Sequence, residues 1–513
     1  MVIMIKLPGP GGRGWCALLL LALPAGGARS AEWTVTPTVT ARISYTDNLF
    51  LAPPGQTQGV WTSELSPGIA VSASGPRLTL HLDYTLQQLD YSHDSEEPNR
   101  RNQQLNAGGH ATLLDDWLFI DARAAITQQN ISAFGPQLSE PNQITGNSDT
   151  VHSSTLAPLL RHYFRGIATA QLRYADDKVS SGQLLSVRKR DSNIELTGDN
   201  GGHGWNWDLS TDRQDIADSA LAPVTMSSST LTLSFPVNSQ LSYLVVGGEE
   251  KNDYHIANAN TQGRFWSLGL NWTPSPRTSV AASFGRHYYG NIQGLNAQYR
   301  MRSMFWQLSY ADTISTTQAQ ILALAPNDVG NFLYQLWAGS IPDASLRIQT
   351  INAFLQLAKL LGPNAGTVSY FSHQYYLQKQ WNLGTVYSSP KSTFALGYTS
   401  SGRTAQSSSG IDSILLGPSQ VGLDDRTRQN TLNAGWSWRM APRSNLSLSA
   451  SVGDVESIST GRRDRNGVLS LALNRQLRAK VSALIELHHA RHDSNAGGDY
   501  RENGASAALV VQF

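Results

Sequence analysis

Alternation with period two runs through almost the whole chain. Trp33, Val35, Val39, Ala41, Ile43 and Tyr45 share one parity, opposite Thr34, Thr36, Thr38, Thr40, Arg42 and Ser44. Leu78, Leu80, Leu82, Tyr84 and Leu86 oppose Thr79, His81, Asp83 and Thr85. The pattern recurs at Leu231–Phe235, Trp266–Trp272, Leu432–Trp438 and Leu446–Val452. Successive side chains of a strand point to opposite faces, so each run is an amphipathic strand. These runs approach the roughly 9–11 residues that cross a bilayer when tilted. Strands of soluble sheets average only about 5–6 residues. The last segment, Ala505, Ala507, Leu509, Val511 and Phe513 on one face, has the form of a closing strand against hydrocarbon, ending in an aromatic at the membrane boundary.

The connections alternate in size. Short turns carry Pro or Gly, as in Ser74-Gly75-Pro76, Thr273-Pro274-Ser275-Pro276 and Ala441-Pro442-Arg443. Longer polar loops run from Ser92 to Asn102, Asn130 to Thr150, Ser400 to Arg428 and Asp493 to Asp499. That rhythm predicts an all-β fold, a transmembrane antiparallel up-and-down β-barrel of about 22 strands within a range of 16–22. Its first strand falls near 33–45 and its last near 500–513, with both ends facing the periplasm. Trp266 and Trp272 at opposite ends of one strand fit two interfacial girdles; Tyr45, Tyr84, Trp117, Tyr243, Tyr398, Trp436 and Trp438 are read as further girdle members.

Residues 1–30 change the picture of location. Lys6 and Arg13 precede the apolar run Trp15–Leu23, followed by Pro24 and small residues. This is the layout of a cleavable secretory signal, too short to span a membrane, and it predicts a mature chain from Ala31. The only cysteine, Cys16, lies within it, so the mature chain 31–513 has no disulfide, thiolate or cysteine–metal chemistry. Removing Lys6, Arg13 and Arg29 from 39 basic residues leaves 36 against 38 acidic, a net charge of −2. No basic run tracks a phosphate backbone, so nucleic acid is not an expected partner. Mean hydropathy is −0.28, which suits a barrel whose lumen and loops dilute its lipid face.

One stretch breaks the rhythm. Ile351, Phe354, Leu355, Ala358 and Leu361 recur at helical spacing between Pro342 and Gly362-Pro363. They predict a helical insert over 326–367, placed by parity on the outer side, where it folds into the lumen, caps the mouth or packs on neighbouring loops.

Tyr45-Thr46-Asp47-Asn48-Leu49-Phe50, Ser66-Pro67-Gly68, Asp116–Ala122, Ile341-Pro342-Asp343…Arg347 and Tyr500…Phe513 together carry a resemblance. The chain resembles the outer-membrane β-barrel proteins associated with the PEP-CTERM/exosortase system of exopolysaccharide gene clusters. That resemblance implies a Gram-negative outer-membrane location and a setting of polymer export or surface organisation, with exopolysaccharide and export proteins as partners. It carries over no catalytic residue. Asp47-Asn48 is also a turn-forming pair. Likeness to other such barrels implies that Leu509, Val511 and Phe513 are the assembly signal read by the outer-membrane insertion machinery, the mature barrel then meeting outer-membrane lipid.

Candidate chemistry is sparse. Ser482, Glu486 and His488 share the lumen parity of one strand, but Ser482 would stand remote from the other two, and no nucleophile motif surrounds it. His110, His203 and His287 have no metal-ligand spacing. No cofactor or metal is expected. A TonB-dependent transporter of this strand number would need a plug domain, yet strand pattern starts at Trp33. Two readings remain. In one, the barrel is a passive conduit whose lumen side chains, Thr79, Thr85, Thr431, Asn433, Ser437, Ser447 and Ser449, bond weakly to sugar hydroxyls. In the other, it is a scaffold whose loops and insert dock a partner protein.

Overall fold

The computed structural model describes residues 31–92, 100–182, 185–198, 204–219, 222–253, 261–324, 374–406, 423 and 425–513. The signal expected over 1–30 and the helical insert expected over 326–367 lie outside them. The strands are β1 (Glu32–Thr46), β2 (Val60–Ser74), β3 (Leu78–Tyr91), β4 (Arg100–Leu114), β5 (Leu118–Asn130), β6 (Ser148–Phe164) and β7 (Ala168–Ser181). Then follow β8 (Leu185–Gly198), β9 (Asn206–Asp218), β10 (Val224–Asn238), β11 (Leu241–Asn252), β12 (Gln262–Ser275), β13 (Thr278–His287) and β14 (Gly290–Arg300). After β15 (Met304–Ser315) come the helix α1 (Thr317–Leu324), β16 (Tyr376–Ser388), β17 (Ser392–Ala405) and β18 (Arg426–Ala441). The wall ends with β19 (Ser444–Ser457), β20 (Arg463–Arg478), β21 (Val481–Ser494) and β22 (Tyr500–Gln512).

Each strand pairs antiparallel with its neighbours in the chain, and β22 returns to β1, so the 22-stranded sheet has closed on itself. Closure satisfies the backbone groups that an open sheet would leave bare in hydrocarbon. Large apolar residues on one parity of most strands stay exposed, as lipid-facing side chains must. Trp272 at one end of β12 and Trp266 towards the other are 45% and 46% exposed. Trp33, Phe164, Phe235, Trp306 and Phe394 continue the lower ring; Tyr45, Trp61 and Phe284 continue the upper one. Tyr84 in β3, Trp381 in β16 and Tyr398 in β17 sit mid-strand, inside the apolar band and away from either ring.

The lower connections are tight. In the turn between β4 and β5, Asp116 takes a left-handed φ of 63°, which a short Asp tolerates, and the strand expected from Asp116 begins at Leu118. Register shifts cluster at these lower ends, between Thr112 and Leu114, Pro236 and Asn238, Arg439 and Ala441, and Gln476 and Arg478. The outer strand ends reach further into the expected loops than the sequence pattern indicates, to Ala405 in β17 and from Arg426 in β18.

The inner face divides by height. Near the outer end the inward side chains Thr46, Thr62, Leu89, Val151, Val179, Ser457, Asp464, His492 and Glu502 are buried. Towards the periplasmic end Thr34, Thr79 and Arg123 are exposed. The lumen is therefore open below and packed over above. The inner faces of β16–β18 are an exception, buried down to Thr393 and Ser437.

Candidate functional site at the outer mouth

Two described elements fill the outer mouth. The first is α1, in the outer connection between β15 and β16. The Thr316 hydroxyl accepts from Ala319 N (3.1 Å) and caps the helix, and Gln, Ala and Leu favour the turns that follow. Ile321 packs against Val151, Val179, Val187, Ile216 and Val224, the inward apolar residues at the tops of β6–β10, together with Tyr375. The described helix thus lies ahead of the region where helical spacing placed one.

The second is the connection 131–147 between β5 and β6. Its own polar side chains hold its shape. Asn147 Oδ1 accepts from Ser132 N (2.8 Å), while Asn147 Nδ2 donates to Pro136 O (2.8 Å) and Ser132 O (2.9 Å). Gln143 Oε1 accepts from the backbone of Ser139 (2.9 Å) and Glu140 (3.1 Å). So folded, the loop turns inward and docks on distant strands. Phe134 packs with Ala133, Leu423 and Val455, and the Arg462 guanidinium lies 5.3 Å above its ring. Gly135 N donates to Asp464 Oδ2 (2.7 Å), a carboxylate also held by Arg462 (2.9 and 3.0 Å) and Ser494 Oγ (2.6 Å). Tyr500 Oη accepts from Gln137 N and donates to Gln137 O, both at 3.3 Å. Ile144 N donates to Leu49 O (3.0 Å), and Asn142 Nδ2 to Ser44 Oγ (3.2 Å).

Glu140 projects from this loop into a set of charges on the wall. Its oxygens lie 3.9 Å from Arg42 Nη1 on β1 and 3.9 Å from His488 Nδ1 on β21. His488 Nε2 donates to Glu502 Oε1 (2.9 Å) on β22, which also accepts from Thr46 Oγ1 (2.6 Å). Gly504 makes this possible: a Cβ there would lie 2.1 Å from His488 Cε1, so the ring occupies the space of the missing side chain. Arg42 Nε lies 3.7 Å from Glu64, whose other oxygen accepts from Ser66 Oγ and Gln87 Nε2. Burial is the main force that pushes the Glu140 carboxyl up to about 7; Glu486 raises it further, His488 and Arg42 draw it down, and Glu502 raises it. The carboxyl therefore changes charge near neutral pH while holding the loop to the wall.

Asp47-Asn48 serves the adjacent turn. Asn48 Oδ1 accepts from Ala52 N (2.8 Å), and its Nδ2 donates to Ala52 O (2.8 Å) and Arg501 O (3.0 Å). These bonds brace Leu51 at a left-handed φ of 52°. Asp47 accepts from the backbone and side chain of Asn503, each at 2.7 Å, so the turn clasps β1 to β22.

The sequence-selected residues scatter around this site. Leu509, Val511 and Phe513 line the outward parity at the end of the chain, Leu509 beside Ala41 and Val511 beside Val39, with Phe513 N donating to Pro37 O (3.0 Å). Thr79, Thr85, Thr431, Asn433, Ser437, Ser447 and Ser449 lie on the inward parity, but Thr431, Asn433 and Ser437 are buried, leaving Thr79, Thr85, Ser447 and Ser449 as the more accessible of the set. Ser482 pairs with Val510 and His488 with Gly504, roughly 20 Å apart along β21, and no hydroxyl contacts the free His488 nitrogen. His110 bonds Asp121 (2.8 Å) and His287 bonds Glu250 (2.7 Å); His203 lies outside the described residues. Among the described residues no group of three or more His, Cys, Asp or Glu could hold a metal ion. Sequence reasoning treated 131–147 as an ordinary polar loop and missed Glu140, Glu502 and Thr46. Pro136 and Pro141 among its amides were the available hint of a loop with a fixed shape.

A closed antiparallel wall, an outward apolar band between two aromatic rings, short turns below and long connections above define a β-barrel of the outer-membrane type. No family model matches the chain, and no curated protein matches it. Among solved structures it is similar to the FrpB iron transporter of Neisseria meningitidis, at 10% identity over 94% of this chain and 81% of that one, with a TM-score of 0.48. It is also similar to the siderophore receptor PirA of Pseudomonas aeruginosa (8%, 93% and 80%, TM-score 0.46). The outer membrane protein OpdK of Pseudomonas aeruginosa is a third (9%, 94% and 99%, TM-score 0.36). At such identities the likeness concerns the fold alone.

Proposed function

We propose that the protein is a gated, passive conduit through which a polar, sugar-based polymer leaves the periplasm, in the exopolysaccharide setting that its PEP-CTERM/exosortase resemblance implies. The observation that carries this reading is the division of the lumen by height. Inward side chains are exposed below and buried above, beneath a loop held by hydrogen bonds and an ionisable carboxyl rather than by a continuous apolar core. Such contacts release and re-form at small net cost, because water replaces them. The wall of β10–β19 supplies mainly hydroxyls, amides and small residues on its inward parity, for instance Thr230, Ser267, Ser283, Asn296 and Ser447, which bond sugar hydroxyls without holding them tightly.

Planar-bilayer conductance of the purified protein tests this. The intact barrel should conduct little, and deletion of 132–146 together with 326–367 should open it. A deletion variant that is folded yet silent overturns the conduit. The burial of the β16–β18 inner face favours a second reading, a scaffold whose outer surface docks export proteins. That reading expects the silent result together with loss of polymer secretion in a strain lacking the protein.

A further inference from the structure

Below α1 the wall of β4–β8 lines an open cavity of about 340 Å³. Its charges are unevenly satisfied. Lys189 Nζ lies 3.2 Å from Asp177 and 3.3 Å from Asp191, and Thr155 Oγ1 donates to Asp177 (2.7 Å). Arg173 lines the same cavity and is half-buried, yet among the described residues it has no hydrogen bond or ion pair. Arg123 reaches in from β5, where its backbone stands opposite Thr155. Arg173 and Asp177 are four residues apart on one strand, roughly 13 Å at the backbone, so the cavity is cationic at one end and carries carboxylates at the other. The α1 side chains Ala319 and Leu322 give it an apolar roof.

We propose that this cavity binds a carboxylate-bearing sugar, a uronate-type residue, on its way to the α1 barrier. A guanidinium takes a carboxylate by two parallel hydrogen bonds, and a partly desolvated guanidinium without a partner gains most from one. Asp177 and Asp191 accept from the sugar hydroxyls, which a plain carboxylate ligand would not supply. The C–H face of the ring rests on Ala319 and Leu322. Arg173, the guanidinium without a partner among the described residues, supplies the single positive charge that a monoanion matches. The site lies on the side open to the periplasm, where an outgoing molecule meets it before the barrier.

This assignment rests on the conduit reading for its purpose, but binding does not require the barrel to conduct. Isothermal titration calorimetry on the full mature chain in detergent, with glucuronate, glucose, acetate and inorganic phosphate, separates the two. Glucuronate should bind at least tenfold more tightly than glucose, acetate or phosphate. Arg173→Gln should weaken glucuronate at least tenfold while leaving glucose unchanged, and Arg173→Lys should fall between. Because Arg173 holds no other described residue by a hydrogen bond or ion pair, both variants should remain heat-modifiable barrels. Acetate or phosphate binding as tightly as glucuronate, or glucuronate binding unmoved by Arg173→Gln, overturns the site. A silent bilayer with glucuronate binding intact would count against the conduit and leave the site standing.

Discussion

Asp464→Ala should release the 131–147 loop from the wall. The Asp464 side chain is fully buried and accepts from Gly135 N, from two nitrogens of Arg462 and from Ser494 Oγ. Of these, only the bond from Gly135 ties the loop directly; Arg462 contributes by lying over Phe134. A hydrogen bond to a charged acceptor contributes about 1.5–3 kcal/mol, and removing the acceptor leaves a buried N–H unsatisfied. Taking about 2–3 kcal/mol for docking, the undocked population rises roughly 30- to 150-fold. Amide hydrogen exchange over 131–147, read by mass spectrometry on the detergent-folded barrel, reports that ratio whether or not the pore conducts. Asp464→Asn keeps an acceptor but loses the charge, so a smaller change of about fivefold is expected. Loop exchange within threefold of the parent for Asp464→Ala, in a variant that still shifts on heating, would refute the assignment of Asp464 as the anchor.

Other consequences are open to direct measurement. Glu140 has a folded-state value near 7, above its ordinary 4.5, so the docked loop favours the protonated acid. Docking is then strongest below about pH 4.5 and is lost as pH rises to about 7, by about 3 kcal/mol in all. Glu140→Gln should flatten the pH dependence of loop exchange across that window, and a slope as steep as the parent's would show that another group titrates there. Gly504→Ala should displace the His488 ring and break its bond to Glu502, accelerating exchange around Thr46 and Glu502; unchanged exchange would mean the ring has room elsewhere. Asn48→Ala removes three side-chain hydrogen bonds around Leu51 and should lower barrel stability by about 2–4 kcal/mol, read as a lower urea midpoint. Polar residues appended after Phe513 should impair membrane insertion while secretion continues, and normally inserted, heat-modifiable protein would contradict its role as an assembly signal.

The wall was legible because lipid imposes its own rule on every strand. A side chain such as Leu432 or Trp266 must face hydrocarbon, its neighbours must not, and the parity survives in the sequence. The interior obeys no such rule. Glu140 reads as a solvated loop charge, because a polar loop satisfies the same groups in water or against a polar wall. His488 and Glu502 belong to adjacent strands, and their meeting depends on the register set by the turn after Ser494. The helix α1 directly follows a period-two strand and is too short to impose its own period.

The groups that receive Glu140 have a consequence for assembly. Arg42 lies on the first strand, while His488 and Glu502 lie on the last two, so they flank the closure between β1 and β22. Thr46 and Glu502 are 456 positions apart in the chain, and they meet only after every intervening strand is in place. Until then the receptor for the loop is split between two ends of an open sheet. An incomplete barrel therefore leaves 131–147 undocked and open to proteases, whereas a finished one folds it away. The docked loop is thus also a checkpoint: its docking marks that the wall is whole.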